Sequence, residues 1–162
     1  MQNYEEMLLE LVNAQKYLTK KQQRKAKMDV MVRLITRLKE DVALSAKIEQ
    51  ESPQFFDDLN ACYEFLTVNI PQRNIHPGDE KVYNNHFKSI TDVLSKKFDL
   101  YPKGTYVGQY LAIGIALGAG VGMLFASSNA SLYSIAASLG LVFGIAIGNS
   151  VESSKEKAGK IY

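Results

Sequence analysis

The sequence predicts an all-α protein, a cytoplasmic helical bundle followed by a two-span transmembrane helical hairpin with glycine-zipper ladders. No Asp, Glu, Lys, Arg or His occurs between Lys103 and Glu152. Two apolar runs in this stretch, 106–126 and 132–148, approach the roughly 20 residues that a membrane-spanning helix needs. Residues 1–100 carry apolar side chains at helical spacing and no useful strand-like alternation. These three observations define the predicted fold class.

The first half of the predicted cytoplasmic domain, 1–100, carries two apolar stripes. The first consists of Tyr4, Met7, Leu8, Leu11 and Leu18, and the second of Met28, Met31, Ile35, Leu38, Val42 and Ala46. No Pro or Gly interrupts residues 15–27. One long kinked helix and two shorter helices therefore both remain open for this half.

The second half of this domain predicts two more helices. Ser52-Pro53 is an N-cap followed by proline at the first helical position, and Pro71 stops the helix that follows. A loop is predicted at 71–79, after which Asp79 caps the next helix. The two stripes are Phe55, Phe56, Leu59, Tyr63, Leu66 and Ile70, then Tyr83, Phe87, Ile90, Leu94 and Phe98. Helices with short links indicate a small bundle, joined to the spans by 101–105.

The predicted hairpin, 106–149, carries small residues at four-residue spacing on both spans, which a polar turn separates. Gly and Ala at this spacing let helix backbones approach closely in lipid. Two ladders on the first span favour two neighbours, its partner span and another copy of the chain, so a homo-oligomer is predicted. In the alternative, the glycines only tighten an anchor. The ladders are Gly114, Gly118 and Gly122, then Ala112, Ala116 and Gly120, and on the second span Ala136, Gly140, Gly144 and Gly148.

Lysines flank both spans but are missing from the turn between them. Cationic residues near a span stay on the cytoplasmic side. We therefore expect both termini, including the basic tail 150–162, to be cytoplasmic and the protein to lie in a bacterial inner membrane. The single Cys62 excludes an intrachain disulfide and fits a reducing compartment. The flanking lysines are Lys96, Lys97, Lys103, Lys155, Lys157 and Lys160.

The C-terminal third resembles a group of small bacterial glycine-zipper membrane proteins. The resemblance rests on the entry into the first span, on the Gly-x-x-x-Gly runs and on the lysine-rich tail. It implies a bacterial membrane protein and no particular activity. A helical domain joined to two spans is also similar in layout to membrane effectors of some bacterial anti-phage systems. The entry segment reads Lys97-Phe98-Asp99-Leu100-Tyr101-Pro102-Lys103-Gly104-Thr105-Tyr106-Val107-Gly108.

The residues that commonly carry catalysis are few and isolated in this sequence. His76 and His86 have no second ligand at metal spacing, and only one cysteine is present. Asp57 and Asp58 lack a nearby base in sequence, and no glycine-rich phosphate loop follows a strand. The sequence therefore predicts a non-enzyme without a cofactor or metal.

One basic run stands out, with six basic residues and no acidic residue in 16–27. Such a run can bind anionic lipid, nucleic acid or a charged nucleotide. The alternative is an ordinary solvated helix face. No aromatic lies between Lys20 and Lys27, which weakens a stacking-based nucleic-acid interpretation. The run consists of Lys16, Lys20, Lys21, Arg24, Lys25 and Lys27.

Together these features predict an oligomeric two-span bacterial inner-membrane protein. In the first hypothesis it is a pore-forming or membrane-disrupting effector gated by its cytoplasmic domain, with a weakly selective pore lined by Gln109, Ser134 and Ser138. In the alternative it is a membrane-tethered binding module, an immunity or adaptor protein that holds a protein partner.

Overall fold

A computed structural model describes residues 3–70, 78–125 and 130–162, and within them all regular structure is helical, as predicted. The chain divides into two compact units, Met1–Leu100 with Tyr162, and Tyr101–Ile161. Most of the predicted loop at 71–79 and most of the predicted turn at 127–131 lie outside the described residues.

The described part of the first unit consists of six α-helices and one π-helical turn. They are α1 (Tyr4–Lys16), α2 (Lys20–Lys25), α3 (Met28–Glu40), α4 (Val42–Glu51), α5 (Gln54–Glu64), which continues into the π-helical turn (Phe65–Asn69), and α6 (Asp79–Phe98).

The sequence left open one long kinked helix or two shorter helices in the first half of this unit. Neither is observed, because a separate short helix, α2, lies between α1 and α3. Thr19 forms a capping box with Gln22: the Thr19 hydroxyl accepts from the Gln22 backbone N–H at 3.3 Å. The Gln22 side chain accepts in turn from the Thr19 backbone N–H at 2.9 Å. At the other end, Lys27 adopts a left-handed conformation with φ of 50° and redirects the chain into α3. The breaks therefore arise from capping and backbone conformation, without Gly or Pro.

The predicted second stripe is wrong beyond Leu38, because α3 ends at Glu40 and a new helix, α4, begins at Val42. The Asp41 carboxylate accepts from the backbone N–H of Leu44 at 3.0 Å and caps α4. This break changes the helical phase. Val42 is 72% exposed, whereas Ile48 of the same helix is fully buried.

The core of the first unit collects the apolar faces of α1, α3, α5 and α6, together with one residue of α4 and the π-helical turn. Its fully buried side chains are Leu11, Met28, Met31, Leu34, Ile35, Leu38, Ile48, Phe55, Leu59, Leu66, Ile90 and Leu94. Tyr162 is buried in the same cluster. Ser52 does not cap α5 through its side chain, because its hydroxyl accepts from the Lys97 amine at 2.7 Å and the helix begins only at Gln54.

The second unit contains two long helices, α7 (Thr105–Phe125) and α8 (Ala130–Lys157). They pack as an antiparallel pair, since Gly118 lies against Ala136 and Gly148 against Val107. Both are long and apolar enough to cross a membrane. α8 runs eight residues beyond the predicted end of the hairpin at 149 and ends at Lys157. Gly159 follows with φ of 70°, which is typical of a glycine just after a helix C-terminus.

Candidate functional site

Glycines form the contact between α7 and α8. The predicted first ladder of α7 faces α8, and the α8 ladder faces back. Gly114, Gly118, Gly122, Gly144 and Gly148 are buried, and Ala136 and Gly140 are partly buried. The structure thus brings together two of the three predicted ladders within one chain.

The spacing of this contact leaves no room for side chains at the ladder positions. A Cβ added at Gly118 would lie 2.5 Å from the Ala136 carbonyl oxygen, and one at Gly144 would lie 2.5 Å from the Tyr110 carbonyl oxygen. Real Cβ atoms essentially never come within 3.0 Å of such a neighbour. Close backbone approach in place of side-chain interdigitation therefore holds the pair together.

The second predicted ladder of α7 is not used within the chain. Ala112, Ala116 and Gly120 are exposed, and a Cβ at Gly120 would meet nothing within 4 Å. Gln109 is also exposed and precedes Ala112 by three residues, so it falls on the same face. This outer face, Gln109 to Gly120, combines small residues with one amide.

An apolar groove of about 410 Å³ follows the pair, with the ladder glycines at its base. Its walls are Ile113, Leu117 and Val121 of α7 and Leu139, Phe143 and Ile147 of α8. Ser134 and Ser138 are exposed, and the Ser138 hydroxyl donates to the Ser134 carbonyl of its own helix at 2.7 Å. The closed glycine contact leaves no polar channel between these two helices.

A buried carboxylate joins the C-terminal part of α8 to the N-terminus of α7. Glu152 of α8 accepts from the Gly104 N–H at 2.7 Å and from the Val107 N–H at 3.4 Å. These N–H groups belong to the first turn of α7, which has no carbonyl partners of its own and carries partial positive charge. Nearby, the Lys103 amine pairs with Glu156 at 2.9 Å. Glu152 therefore has a structural role that its sequence position did not reveal.

The basic run does not form a single surface. Lys16, Lys20, Lys21 and Arg24 are exposed at the end of α1 and along α2. In contrast, the Lys27 amine lies 4.3 Å from the centre of the Phe87 ring, in a cation–π contact. The side chain of Lys25 is outside the described part of the chain. The candidate anion-binding set is thereby reduced to the four exposed residues.

Sequence inspection found no base for Asp58, but the structure supplies one. The Asp58 Oδ1 lies 2.7 Å from the His86 Nδ1. Asp58 is buried on α5 and His86 is partly exposed on α6. They are separated by 28 positions, so no local signal could have linked them. Asp57 is exposed.

The nearby thiol is chemically quiet. Burial, reinforced by the Asp58 charge, raises the pKa of Cys62 to about 12. Because the thiolate is the nucleophile, Cys62 is inert near neutral pH. Across the described residues, no group of three or more His, Cys, Asp or Glu could hold a metal ion, and His76 lies outside that part.

Comparisons with protein-family models, curated proteins and solved structures gave no match to this chain. The functional inference therefore rests on the geometry described above.

Proposed function

We propose that this chain is an oligomeric two-span membrane protein of the bacterial inner membrane. In this proposal α7 and α8 form a transmembrane hairpin, and several hairpins assemble into a pore or membrane-disrupting bundle. The helices of the first unit lie in the cytoplasm and gate the assembly. Their gating signal acts on the first unit, in which the Asp58–His86 pair links α5 to α6.

The exposed outer face of α7 carries this proposal. The inner ladder already satisfies the contact between α7 and α8, so Ala112, Ala116 and Gly120 have no role in folding the pair. In lipid, such a face supports close packing with another helix. Gln109 adds an amide, which gains a hydrogen-bond partner when copies associate.

The composition of the span surfaces indicates the kind of conduction. The span segments carry no charged residue between Lys103 and Glu152. A pore built from them is lined by hydroxyl, amide and backbone groups, with Gln109, Ser134 and Ser138 as its polar side chains. Such a lining discriminates weakly among small ions, because no charge ring selects for sign.

The decisive experiment compares leakage from liposomes containing purified full-length protein. Ala116→Leu should abolish dye or ion leakage and reduce the oligomer to a monomer, because a bulky side chain blocks helix approach at the outer face. Membrane insertion should persist, since leucine favours the bilayer. Ala146→Leu is the matched control: the same change at an exposed alanine of α8, away from both ladders.

Each result has a clear meaning. Leakage by wild type and Ala146→Leu, but not by Ala116→Leu, supports the proposed assembly. A wild-type protein that inserts and oligomerises without leakage contradicts the pore and supports the membrane-tethered binding module. If Ala116→Leu assembles like wild type, the outer face is not the interface.

A further inference from the structure

The corner between α1 and α2 exposes a concentrated positive charge that forms no ion pair with the described residues. Lys20, Lys21 and Arg24 fall within an arc of about 100° on α2, at 100° per residue. None of the three has an ionic partner among the described residues. Elsewhere in the first unit, Lys39 pairs with Glu5 at 2.8 Å and Lys96 with Asp92 at 3.2 Å.

This charge arrangement works against the helix that carries it. Lys20 and Arg24 are four residues apart, and Lys21 and Arg24 are three apart, so like charges face each other along α2. The first turn of α2 has no acidic residue to oppose the helix dipole. A helix that folds despite this repulsion gains stability when an anionic surface approaches it.

An aromatic side chain stands beside these charges. Tyr17 is 78% exposed and follows Lys16 directly. A tyrosine ring so exposed in water is placed more favourably at the headgroup level of a bilayer, where its apolar ring and polar hydroxyl are both accommodated. Basic and aromatic groups side by side are typical of a membrane-surface contact.

The corner is held in a fixed orientation. The Gln23 amide donates to the Gln15 carbonyl at 2.8 Å and to the Leu18 carbonyl at 3.1 Å, which closes the turn between α1 and α2. The Tyr83 hydroxyl donates to the Ala26 carbonyl and fastens the end of α2 to α6. Leu18 and Ala26 are both buried, and Lys20, Lys21 and Arg24 between them are exposed.

We infer that this corner, defined by Lys16, Tyr17, Lys20, Lys21 and Arg24, docks onto the anionic lipid headgroups of the bilayer. The inference rests on the proposed membrane insertion. The two spans would keep the first unit beside a lipid surface at high effective concentration. This favours lipid over nucleic acid, which would have to be captured from solution and would find one exposed aromatic for stacking.

The absence of tryptophan from the chain provides a clean reporter for docking. Full-length Tyr17→Trp is placed in nanodiscs of phosphatidylcholine alone, or of an equal mixture of phosphatidylcholine and anionic phosphatidylglycerol. In the anionic discs, emission should shift to the blue and be quenched by brominated lipid. Both effects should fade with salt, because the Debye length shrinks from roughly 10 Å at 0.1 M to roughly 3 Å at 1 M.

Two charge variants in the Tyr17→Trp background identify the residues responsible. Lys20→Gln/Lys21→Gln/Arg24→Gln should lower the docked-to-undocked ratio about 100-fold, at about five-fold per charge. Arg33→Gln/Lys81→Gln/Lys88→Gln removes the same charge from exposed positions on α3 and α6 and should dock like the parent. The first variant should unfold no earlier than the parent, because like-charge repulsion is relieved.

The outcomes separate docking from the function proposed above. Equal quenching in neutral and anionic discs, or equal loss in both charge variants, overturns the docking inference. If the tryptophan emission responds to an added single-stranded oligonucleotide in neutral discs and does not respond to anionic lipid, the ligand of the corner is nucleic acid instead. Resistance to alkaline extraction reports insertion separately. If the protein is extracted, the two-span proposal fails, and the same lipids offered as vesicles still decide the docking.

Discussion

At the scale of single residues, the first unit suppresses the reactivity of its one cysteine. Cys62 is buried between α5 and α6, and its thiol lies 3.9 Å from the Tyr83 carbonyl oxygen. Asp58 adds negative charge nearby, which opposes thiolate formation further. The only cysteine of the chain is thus protected by its surroundings and not by pairing.

We expect Cys62 to resist alkylation while the protein is folded. Burial raises its pKa from 9.0 to about 12, so the thiol is neutral in the folded protein at pH 9 but half ionised in the unfolded chain. Iodoacetamide at pH 9 should therefore react at least about 100-fold faster in guanidinium chloride than in buffer. An added exposed cysteine, Ser153→Cys, is the control and should react at similar rates in both. Equal rates for Cys62 would contradict its burial.

The raised pKa of Cys62 also makes the free energy of unfolding depend on pH. Since the folded pKa of Cys62 is raised, its contribution is complete below pH 9 and is lost as pH rises from about 9 towards 12. Across that pH range the denaturant midpoint should therefore fall less steeply with rising pH in Cys62→Ala than in the wild type.

Residue-scale features divide into those visible in the sequence and those that only folding creates. Thr19 and Gln22 form a capping box whose spacing is local, so the sequence contains this signal although the prediction from apolar stripes missed it. The pairing of Asp58 with His86, and that of Glu152 with Gly104, joins distant positions. No periodicity encodes such pairs, so sequence analysis found neither.

At the scale of helices, the apolar stripes predicted which helix faces are buried but did not predict where the helices end. The apolar stripe of α6 was predicted correctly, but Asp79 does not cap this helix: it is the first helical residue, and Gly78 is the N-cap. The breaks at Thr19 and Asp41 were missed because side-chain capping, without a helix breaker, ends those helices. The two ladders on α7 were visible in the sequence, but which of them faces α8 follows only from the packing.

A matched pair of substitutions in α7 tests the assignment of inner and outer faces. Gly118→Ala places a Cβ 2.5 Å from the Ala136 carbonyl oxygen and should destabilise the helix pair by about 1–3 kcal/mol. Gly120→Ala meets nothing within 4 Å and should be neutral or stabilising. Unfolding in mixed detergent, followed by far-UV circular dichroism, measures both.

The first unit provides the internal reference for that comparison. Cys62 alkylation follows unfolding of the first unit separately, and its midpoint should not change in either variant. If the two alanine variants unfold alike, the close approach of Gly118 to α8 is wrong.

At the scale of the whole molecule, the antiparallel packing of α7 and α8 places the start of one helix beside the end of the other. Two spans related in this way return the chain to the side on which it entered. In the proposed hairpin, the lysines before α7 and after α8 favour the cytoplasm for that side.

Cysteine labelling in intact spheroplasts tests this topology. Ser128→Cys, in the turn that the sequence predicts between the proposed spans, should react with a membrane-impermeant maleimide from outside. Ser153→Cys should react only after lysis, and Cys62 contributes no background because it is buried. Labelling of Ser153→Cys, but not of Ser128→Cys, in intact spheroplasts would reverse the orientation.

The Glu152 cap also sets an order of events during synthesis. Glu152 follows Gly104 by 48 positions, so at about 5–20 residues per second the ribosome needs roughly 2–10 s to add it. For that interval α7 has neither its terminal carboxylate nor a partner for its glycine face. In the proposed membrane hairpin, nascent α7 therefore completes its packing only after α8 has been synthesised. A chain truncated within α8 should consequently be a substrate for membrane quality control rather than a stable single-span protein.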